Sequence, residues 1–555
     1  MAEPESGIRR SRSNSFSHHE SSGPTASSPT LSMNSSNPDL MSKKVFNEDP
    51  EKQRDLKTDD DDVEAAPKPL TDDTTAENPV IPFDSTTPTH DPNCVYWDGL
   101  QDKENARRMS FARKWFICII LTSTAGCLTA LSSAWTSAVD PMVERFHSSA
   151  EVGDLGLTLF LFGLGIGPLI AAPLSEKFGR QPVYLISLFL FFVFQFPTAF
   201  AHNMASALVG RYLCALGGSA FMSNVPGTFS DLFEKHQLAL PVTVFTFGPF
   251  LGPGIGPVIS GPITQHVGYR WVFYVFLIWT FVLLVTIALT VPETYPPILL
   301  AKKAKRLRKE TGNDAIYAPI EKSERSFWRS LRHSCSMPVI LISHEPVLDI
   351  LCFYTGFLLA IIYLFFVAFP YVFTKVYHFQ VEFVGLSFTG IIVGMALAAS
   401  TYPFWRHFYE KELAKNGGVA NPEMRLPQMC FGAVIIPIGL FMFAWTAYAE
   451  VHWIVPMVAS GIFAFGSYFT FNGIITYTVE TYHRYAASAT AANVFIRCAI
   501  AGSAPLFGVQ MLEGMGIHWG ISLLGFVAVL LCPSAFIFRI YGKTLRMKSK
   551  YAIKV

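Results

Sequence analysis

Two arginines lie inside apolar segments of this chain, where a charged side chain is costly. Arg211 lies in the run Gly210–Gly218, and Arg497 lies deep in a later apolar run. A cation at the centre of a membrane helix costs roughly 2.5–3.5 kcal/mol, so such residues usually face a cavity and have partners. Because arginine does not titrate, we expect Arg211 to tune a carboxylate or hold water. The alternative is that its long side chain extends to the membrane surface.

The carboxylates that could carry a proton lie near the ends of apolar runs. Asp140 closes the first run, Asp154 opens the second and Asp349 opens a run in the second half of the chain. A carboxylate that is desolvated beside a cavity can exchange a proton. Asp140, Asp349 and Arg211 are therefore the candidates for proton coupling, although the acids also suit an ordinary interfacial role.

Aromatic side chains within the apolar runs could stack on flat or cationic small molecules. Most aromatic residues in such runs serve packing, and that interpretation stays open for each of them. With two polar neighbours they form the candidate substrate cavity, which consists of Tyr354, Tyr363, Tyr468, Phe471, Asn472 and Arg497.

A run rich in glycine and proline, residues 245–263, interrupts one of the long apolar segments. Gly248, Gly252 and Gly256 recur at a spacing of one helical turn, with prolines between them. In a soluble helix glycine costs about 1 kcal/mol and proline about 3 kcal/mol. In a membrane, small residues let two helices approach closely, and neighbouring groups satisfy the freed backbone. The run predicts a closely packed membrane helix that can bend.

The composition is that of a membrane protein. The 555 residues are 50% hydrophobic and 15% charged, whereas soluble domains have about 25% charged residues. Since a bilayer core requires about 20 residues per helix, hydropathy predicts about twelve spans. These are 115–139, 154–174, 181–201, 205–228, 241–264, 270–291, 346–370, 383–402, 426–446, 452–476, 485–512 and 518–540.

Lysine and arginine concentrate in alternate loops, which places both termini in the cytoplasm. The leading segment is polar, with an acidic run at residues 59–62, and cannot bury enough apolar surface to order itself. A long polar insert divides the spans into two equal sets, and Gly156 and Gly165 in the first set match Gly385 and Gly394 in the second. The expected organisation is a disordered cytoplasmic tail (1–110), an N-terminal helix bundle (111–291), a central cytoplasmic loop (292–345), a C-terminal helix bundle (346–540) and a cytoplasmic tail (541–555).

The loop after the second span carries a charged motif, Ala172–Gln181. It resembles the G-x-x-x-D-R-x-G-R-R motif between helices two and three of the major facilitator superfamily, with substitutions at the first glycine, the acid, the first arginine and the last basic position. The resemblance implies a cytoplasmic latch that favours one conformation; the alternative is a solvated turn. The latch residues would be Glu176, Lys177, Gly179 and Arg180.

Two further stretches resemble motifs of the same superfamily. The segment around Arg211 is similar to its fourth-helix arginine motif, which implies a role in proton coupling. The glycine-proline run resembles the fifth-helix motif of its antiporters, although Pro257 replaces the last glycine. Simple packing is the alternative. The matching positions, with the departure at Pro257, are Gly248, Gly252, Pro253, Gly256 and Pro257.

Three segments, 269–274, 292–300 and 485–497, resemble the fungal drug:proton antiporters with twelve helices, especially polyamine and multidrug exporters. The resemblance implies an all-α membrane protein with the major facilitator fold, built from two six-helix bundles. It also implies export of drugs, polyamines or other amphiphilic compounds across the plasma membrane in exchange for protons.

The expected partners are a small organic substrate, protons and the lipid bilayer, without nucleic acid, cofactor or metal, and we expect a monomer. No G-x-x-x-x-G-K-[ST] motif is present to bind ATP, and no catalytic constellation indicates an enzyme. Two alternatives remain: a proton symporter for uptake of a small nutrient, and a membrane sensor that does not transport.

Overall fold

The described part of the chain is almost entirely helical. A computed structural model describes residues 91, 93–97, 102, 104–234, 237–321, 327–418, 420–482 and 485–552. The predicted disordered tail therefore lies outside the described residues for most of its length. Ten helices of the described part are long and apolar enough to cross a membrane.

Helices of the first half begin where the sequence provides a cap or a turn. Ser110 and Ser149 accept hydrogen bonds from the backbone N–H groups of Arg113 and Val152, which satisfies donors that the helix leaves free. Gly179, with φ of 98°, makes the turn before the third span. The helices are α1 (Phe111–Phe146), α2 (Ala150–Phe178), α3 (Arg180–Val193), α4 (Phe196–Ala199), α5 (Met204–Gly218), α6 (Ala220–Leu232), α7 (Ala239–His266) and α8 (Tyr269–Thr290).

The second half follows two helices of the central segment. Several of its helices have proline in their first turn, where the missing N–H costs no hydrogen bond, as at Pro346 and Pro427. The central helices are α9 (Pro296–Thr311) and α10 (Phe327–His344). The remaining helices are α11 (Pro346–Lys375), α12 (Val381–Ser387), α13 (Thr389–Ser400), α14 (Tyr402–Lys415), α15 (Leu426–Thr446), α16 (Ile454–Thr481) and α17 (Ala486–Lys548).

The described helices account for all of the predicted spans. α5 and α6 meet at Ser219 and together form the fourth span. α17 contains the last two spans, which separate at Gly516, where φ is 78°. The predicted C-terminal tail continues α17 as far as Lys548, and the predicted central loop contains α9 and α10.

The last part of the leading segment packs on the central segment. The Lys303 ammonium on α9 donates to Asp102 Oδ2 at 2.6 Å and to the Tyr96 carbonyl at 3.1 Å. Cys94 forms a parallel backbone bridge with Tyr317. The predicted tail ends at residue 110, whereas these contacts begin before α1 and fix the end of the leading segment against α9.

Candidate functional site

Arg211 on α5 lies inside the first half and is only 2% exposed. Its Nε donates to the Gly156 carbonyl at 2.9 Å, and its Nη2 donates to the Ser132 carbonyl at 3.0 Å. The guanidinium also lies over the rings of Trp135 and Phe160, with distances of 4.5 and 4.9 Å to the ring centroids. The side chain therefore joins α5 to α1 and α2, and it does not extend to the membrane surface.

Within the described part of the chain, no carboxylate forms an ion pair with this guanidinium. Among the described residues, the groups in contact with Arg211 are backbone carbonyls and aromatic rings. Asp140 is exposed on α1, and Asp154 is half-buried on α2. Asp349 is half-buried in the first turn of α11, and its Oδ1 is buried without a hydrogen bond.

Tyr363 on α11 joins the second half to this cluster. Its hydroxyl and the Ser132 hydroxyl are 2.9 Å apart and share a hydrogen bond. Arg211 and Arg497 both lie close enough to interact electrostatically with Tyr363. Ser132 thus bonds to Arg211 through its carbonyl and to Tyr363 through its hydroxyl, which links the two halves through one residue.

Aromatic residues of α16 face α7 across the interface between the halves. The rings of Phe471 and Phe250 are 4.3 Å apart, and the Arg497 guanidinium lies 5.9 Å from the Phe471 ring. The Tyr468 hydroxyl donates to the Thr243 carbonyl at 3.4 Å. These contacts bring Phe471, Tyr468 and Arg497 to the interface where the sequence predicted a cavity.

The other two predicted cavity residues, Asn472 and Tyr354, lie in different parts of the second half. Asn472 donates to Gln428 Oε1 at 2.8 Å and lines a small cavity with Tyr468 between α7 and the second half. Tyr354 is fully buried beside Cys430 and Cys532, so it lies within the second half and away from the interface. The structure therefore brings together the predicted cavity residues except Tyr354.

The glycines of the fifth span form a close seam between α7 and α1. A Cβ atom on Gly252 would lie 2.6 Å from the Gly126 carbonyl oxygen, and one on Gly248 would lie 2.8 Å from the Thr122 carbonyl oxygen. Ser133 of α1 donates to the Gly252 carbonyl at 3.4 Å. Only glycine permits these backbones to approach so closely. Residues Gly248, Gly252 and Gly256 are thus packed against α1.

A second face of α7 packs against the other half. A Cβ on Gly254 would lie 2.5 Å from a side-chain carbon of Ile392 on α13, and one on Gly261 would lie 2.9 Å from the Val381 carbonyl oxygen on α12. The Pro257 carbonyl lies against Gly385 of α12. The departure from the antiporter motif at Pro257 therefore falls on the interface between the halves.

Polar side chains close the end of this interface, at the C-terminus of α7. Gln265 Nε2 donates to Gln380 Oε1 at 2.6 Å, and Gln265 Oε1 accepts from the Glu382 backbone N–H at 2.9 Å. His266 Nε2 lies 2.7 Å from Glu382 Oε2. These residues could not be found from the sequence, because they follow the apolar runs and match no motif.

The charged turn after α2 is tied to the ends of α6 and α8. Arg180 lies 3.3 Å from Asp231 and 4.9 Å from the Tyr295 ring centroid. Glu293 accepts hydrogen bonds from the backbone N–H groups of Arg180 and Gln181, at 2.9 and 3.2 Å. Burial raises the pKa of Tyr295 to about 12, so its ring faces Arg180 as a neutral phenol.

The acids of this turn differ from those that the sequence predicted. Glu176 and Lys177 are exposed, whereas Asp231 and Glu293 are buried carboxylates that sequence analysis missed. Gly179 allows the turn because Glu293 occupies the space that a side chain would need. Glu293 lies in the segment 292–300 that a resemblance had marked, but nothing in the sequence pointed to Asp231.

Two six-span halves that meet along α7, α11 and α16, with aromatic rings between them, are the architecture of a secondary transporter of the alternating-access class. The chain belongs to the Major Facilitator Superfamily, whose profile matches residues 120–505.

Relatives and solved structures agree with this assignment. The chain is 44% identical over 458 residues to "Probable drug/proton antiporter YHK8" of Saccharomyces cerevisiae, which covers 82% of this chain and 89% of that protein. It is 42% identical over 464 residues to "Efflux pump atB" of Aspergillus terreus, covering 82% and 90%. The solved proton:xylose symporter XylE, bound to 6-bromo-6-deoxy-D-glucose, is similar in fold, with a TM-score of 0.54, 16% identity and coverage of 78% and 96%.

Proposed function

We propose that this protein is a proton-coupled antiporter that exports drugs or other amphiphilic organic compounds across the plasma membrane. The observation that carries the proposal is the double packing of α7, with Gly248 and Gly252 against α1 and Gly254 and Gly261 against the second half. The relatives that are 44% and 42% identical have names that describe a drug/proton antiporter and an efflux pump. A monomer would suffice, because both halves of the pathway belong to one chain.

The basic residues at the ends of the spans support a cytoplasmic location for both termini. In that orientation α7 runs outward, and the contacts of Gln265 and His266 with the second half lie on the external side. The described conformation is then closed to the outside. Transport requires these contacts to separate while contacts on the cytoplasmic side form.

Proton coupling would operate through the link between Arg211, Ser132 and Tyr363. Because Ser132 and Tyr363 belong to different halves, their hydrogen bond must break when α1 and α11 separate. Arg211 would hold the Ser132 carbonyl and so position its hydroxyl for that bond. Asp140 and Asp349 would carry the proton, since both are carboxylates at the ends of spans that line the interface.

The walls of the cavity favour neutral or singly charged amphiphiles over polyamines. A polyamine requires several carboxylates, but Glu480, an acid near the cytoplasmic edge, is paired with Arg425 at 2.8 Å. Aromatic rings such as Phe250 and Phe471 offer apolar stacking surfaces instead. A panel of neutral, monovalent and polyamine substrates tested against a deletion strain would identify the class.

Efflux measured in cells with and without a proton gradient tests the proposal. Cells that express the protein are loaded with a fluorescent amphiphile and transferred to acidic medium, with or without a protonophore. We expect the efflux that depends on the protein to stop when the gradient is collapsed, with cellular ATP clamped to the same level in both samples. Unchanged efflux would contradict antiport, and accumulation driven by the gradient would indicate an uptake symporter.

A further inference from the structure

The last described residues of the chain fold back onto a buried carboxylate. Glu345 lies between α10 and α11 and is only 2% exposed. Its Oε1 accepts hydrogen bonds from Ser549 Oγ at 2.7 Å and from the Tyr551 backbone N–H at 3.2 Å. Its Oε2 accepts a bond from the Tyr482 hydroxyl at 3.2 Å. Burial and the Glu345 carboxylate raise the pKa of Tyr482, so its hydroxyl remains a donor.

Apolar contacts complete this arrangement. Ala552 is buried in a small cluster with Leu341 and Leu348, and the ring centroids of Tyr551 and Tyr485 are 5.7 Å apart. We call the segment 549–552, together with Glu345, the C-terminal clasp. It joins the junction of α10 and α11 to the end of α16 and to both ends of α17.

The clasp is placed where it can affect both halves. α10 belongs to the central segment and contacts α2 of the first half as well as α11 and α17 of the second. Glu345 follows the last residue of α10 directly. The residues that hold Glu345 therefore also fix the end of a helix that lies between the halves, on the same side as the chain terminus.

The sequence around Ser549 is strongly basic. Arg546 precedes Ser549 by three residues, and Lys548 and Lys550 flank it. Lys548 and Lys550 are exposed, so both ammonium groups can pair with the acidic side chains through which kinases that prefer basic sequences bind their substrates. Ser549 itself is half-buried directly after the end of α17. A segment beyond a helix end that is held by a few hydrogen bonds opens locally at small cost, which gives a kinase access.

We propose that Ser549 is a phosphorylation site for a basophilic serine/threonine kinase, and that the modification releases the C-terminal clasp. In this step Ser549 Oγ attacks the γ-phosphorus of MgATP, the bond to the β-phosphate oxygen breaks, ADP leaves and the hydroxyl proton passes to a base of the kinase. The inference rests on the cytoplasmic C-terminus of the proposed function.

Phosphate is incompatible with the clasp for electrostatic reasons. The phosphoserine carries about −1.5 to −2 charges and no longer has the proton that Ser549 donates to Glu345. The two anions would then lie together in a site that excludes water, where their repulsion is weakly screened. Lys548 and Lys550 are exposed and would attract the phosphate outward. Arg546 stays bound to Glu423 at 3.0 Å, so α17 remains anchored while the last residues detach.

The test uses the purified full-length protein, so it does not depend on transport or on orientation in a cell. The protein is incubated with MgATP and a basophilic kinase, and the modified residues are mapped by mass spectrometry. Ser15 follows Arg12 by the same spacing as Ser549 follows Arg546, and it serves as the internal control for kinase activity. Hydrogen exchange of the Tyr551 and Ala552 amides then reports whether the clasp has opened.

We expect phosphate on Ser549 and amide exchange at least about tenfold faster, since a hydrogen bond to a charged group typically contributes more than the free energy of a tenfold change. In the matched control, Ser549→Ala, kinase treatment should leave the exchange rate unchanged. Phosphate on Ser15 with none on Ser549 would overturn the proposed site. Phosphate on Ser549 with unchanged exchange would overturn the release of the clasp.

Discussion

The environment of Arg211 shows how backbone carbonyls and aromatic rings can hold a buried cation. Carbonyl oxygens of Gly156 and Ser132 accept its hydrogen bonds, and the rings of Trp135 and Phe160 present their negative faces to it. The planar guanidinium serves both kinds of partner, since it can donate in its plane while its faces contact rings. A role of Arg211 in proton coupling therefore depends on the planar geometry of its guanidinium as well as on its charge.

Replacing Arg211 separates charge from geometry. Arg211→Lys keeps the charge but cannot donate to both carbonyls in the same fixed arrangement, so we expect efflux to fall at least about tenfold, the equivalent of one lost charge-assisted hydrogen bond. Arg211→Ala should abolish efflux with normal membrane abundance. The control, Arg145→Ala, removes an exposed cation on α1 and should have little effect. Normal efflux by Arg211→Ala would exclude the coupling role.

At the scale of helices, the seam between α7 and α1 has no room for a larger residue. Gly252→Leu would place a side chain against Gly126 and Ala130, whose backbone atoms lie 2.6 and 2.9 Å from the position of the new Cβ. We expect transport to be lost because the leucine side chain would push α7 away from α1. Gly514→Leu is the matched control, since nothing lies within 4 Å of its Cβ position. Drug efflux and surface abundance of both variants are measured together; wild-type efflux by Gly252→Leu would show that the seam is dispensable.

The turn between α2 and α3 depends on one carboxylate from beyond α8. Glu293→Gln keeps the size of the side chain but removes the negative charge of the carboxylate. That carboxylate accepts hydrogen bonds from the backbone N–H groups of Arg180 and Gln181. We expect the free energy of unfolding to fall by about 1.5–3 kcal/mol, the range for a hydrogen bond to a charged group. Thermal unfolding in detergent measures the change. Glu310→Gln on α9, an exposed acid paired with Arg306 at 3.5 Å, should leave the unfolding temperature nearly unchanged.

Hydropathy predicted the spans, since it reports how much apolar surface each segment contributes, and the glycine spacing predicted close packing of α7. Neither pattern could predict which distant residues contact one another in the fold. Arg180 and Glu293 are 113 residues apart, and their contact follows from the packing of α3 beside α8. The break at Ser219 and the C-terminal clasp are likewise set by tertiary contacts, which a local pattern does not encode.

For the whole molecule, the described conformation has contacts between the halves at several levels. Ser132 and Tyr363 join α1 to α11, and Thr158 Oγ1 donates to the Gly502 carbonyl at 2.7 Å between α2 and α17. The C-terminus of α7 adds the bonds to α12. Alternating access requires the contacts at the C-terminus of α7 to open as a group, because α7 packs closely on α1 and moves with the first half.

A reversible cross-link between α7 and the second half tests this movement. In Gln265→Cys/Gln380→Cys, the thiols replace side chains whose polar atoms are 2.6 Å apart, so a short bifunctional thiol reagent should join them in the resting protein. We expect the linked protein to lose efflux completely and to recover it when a reductant cleaves the linker. Most described native cysteines are buried, and each single-cysteine variant treated with the same reagent provides the control. Full efflux with the link in place would mean that these residues do not separate during transport, and that the C-terminus of α7 is a fixed joint between the halves.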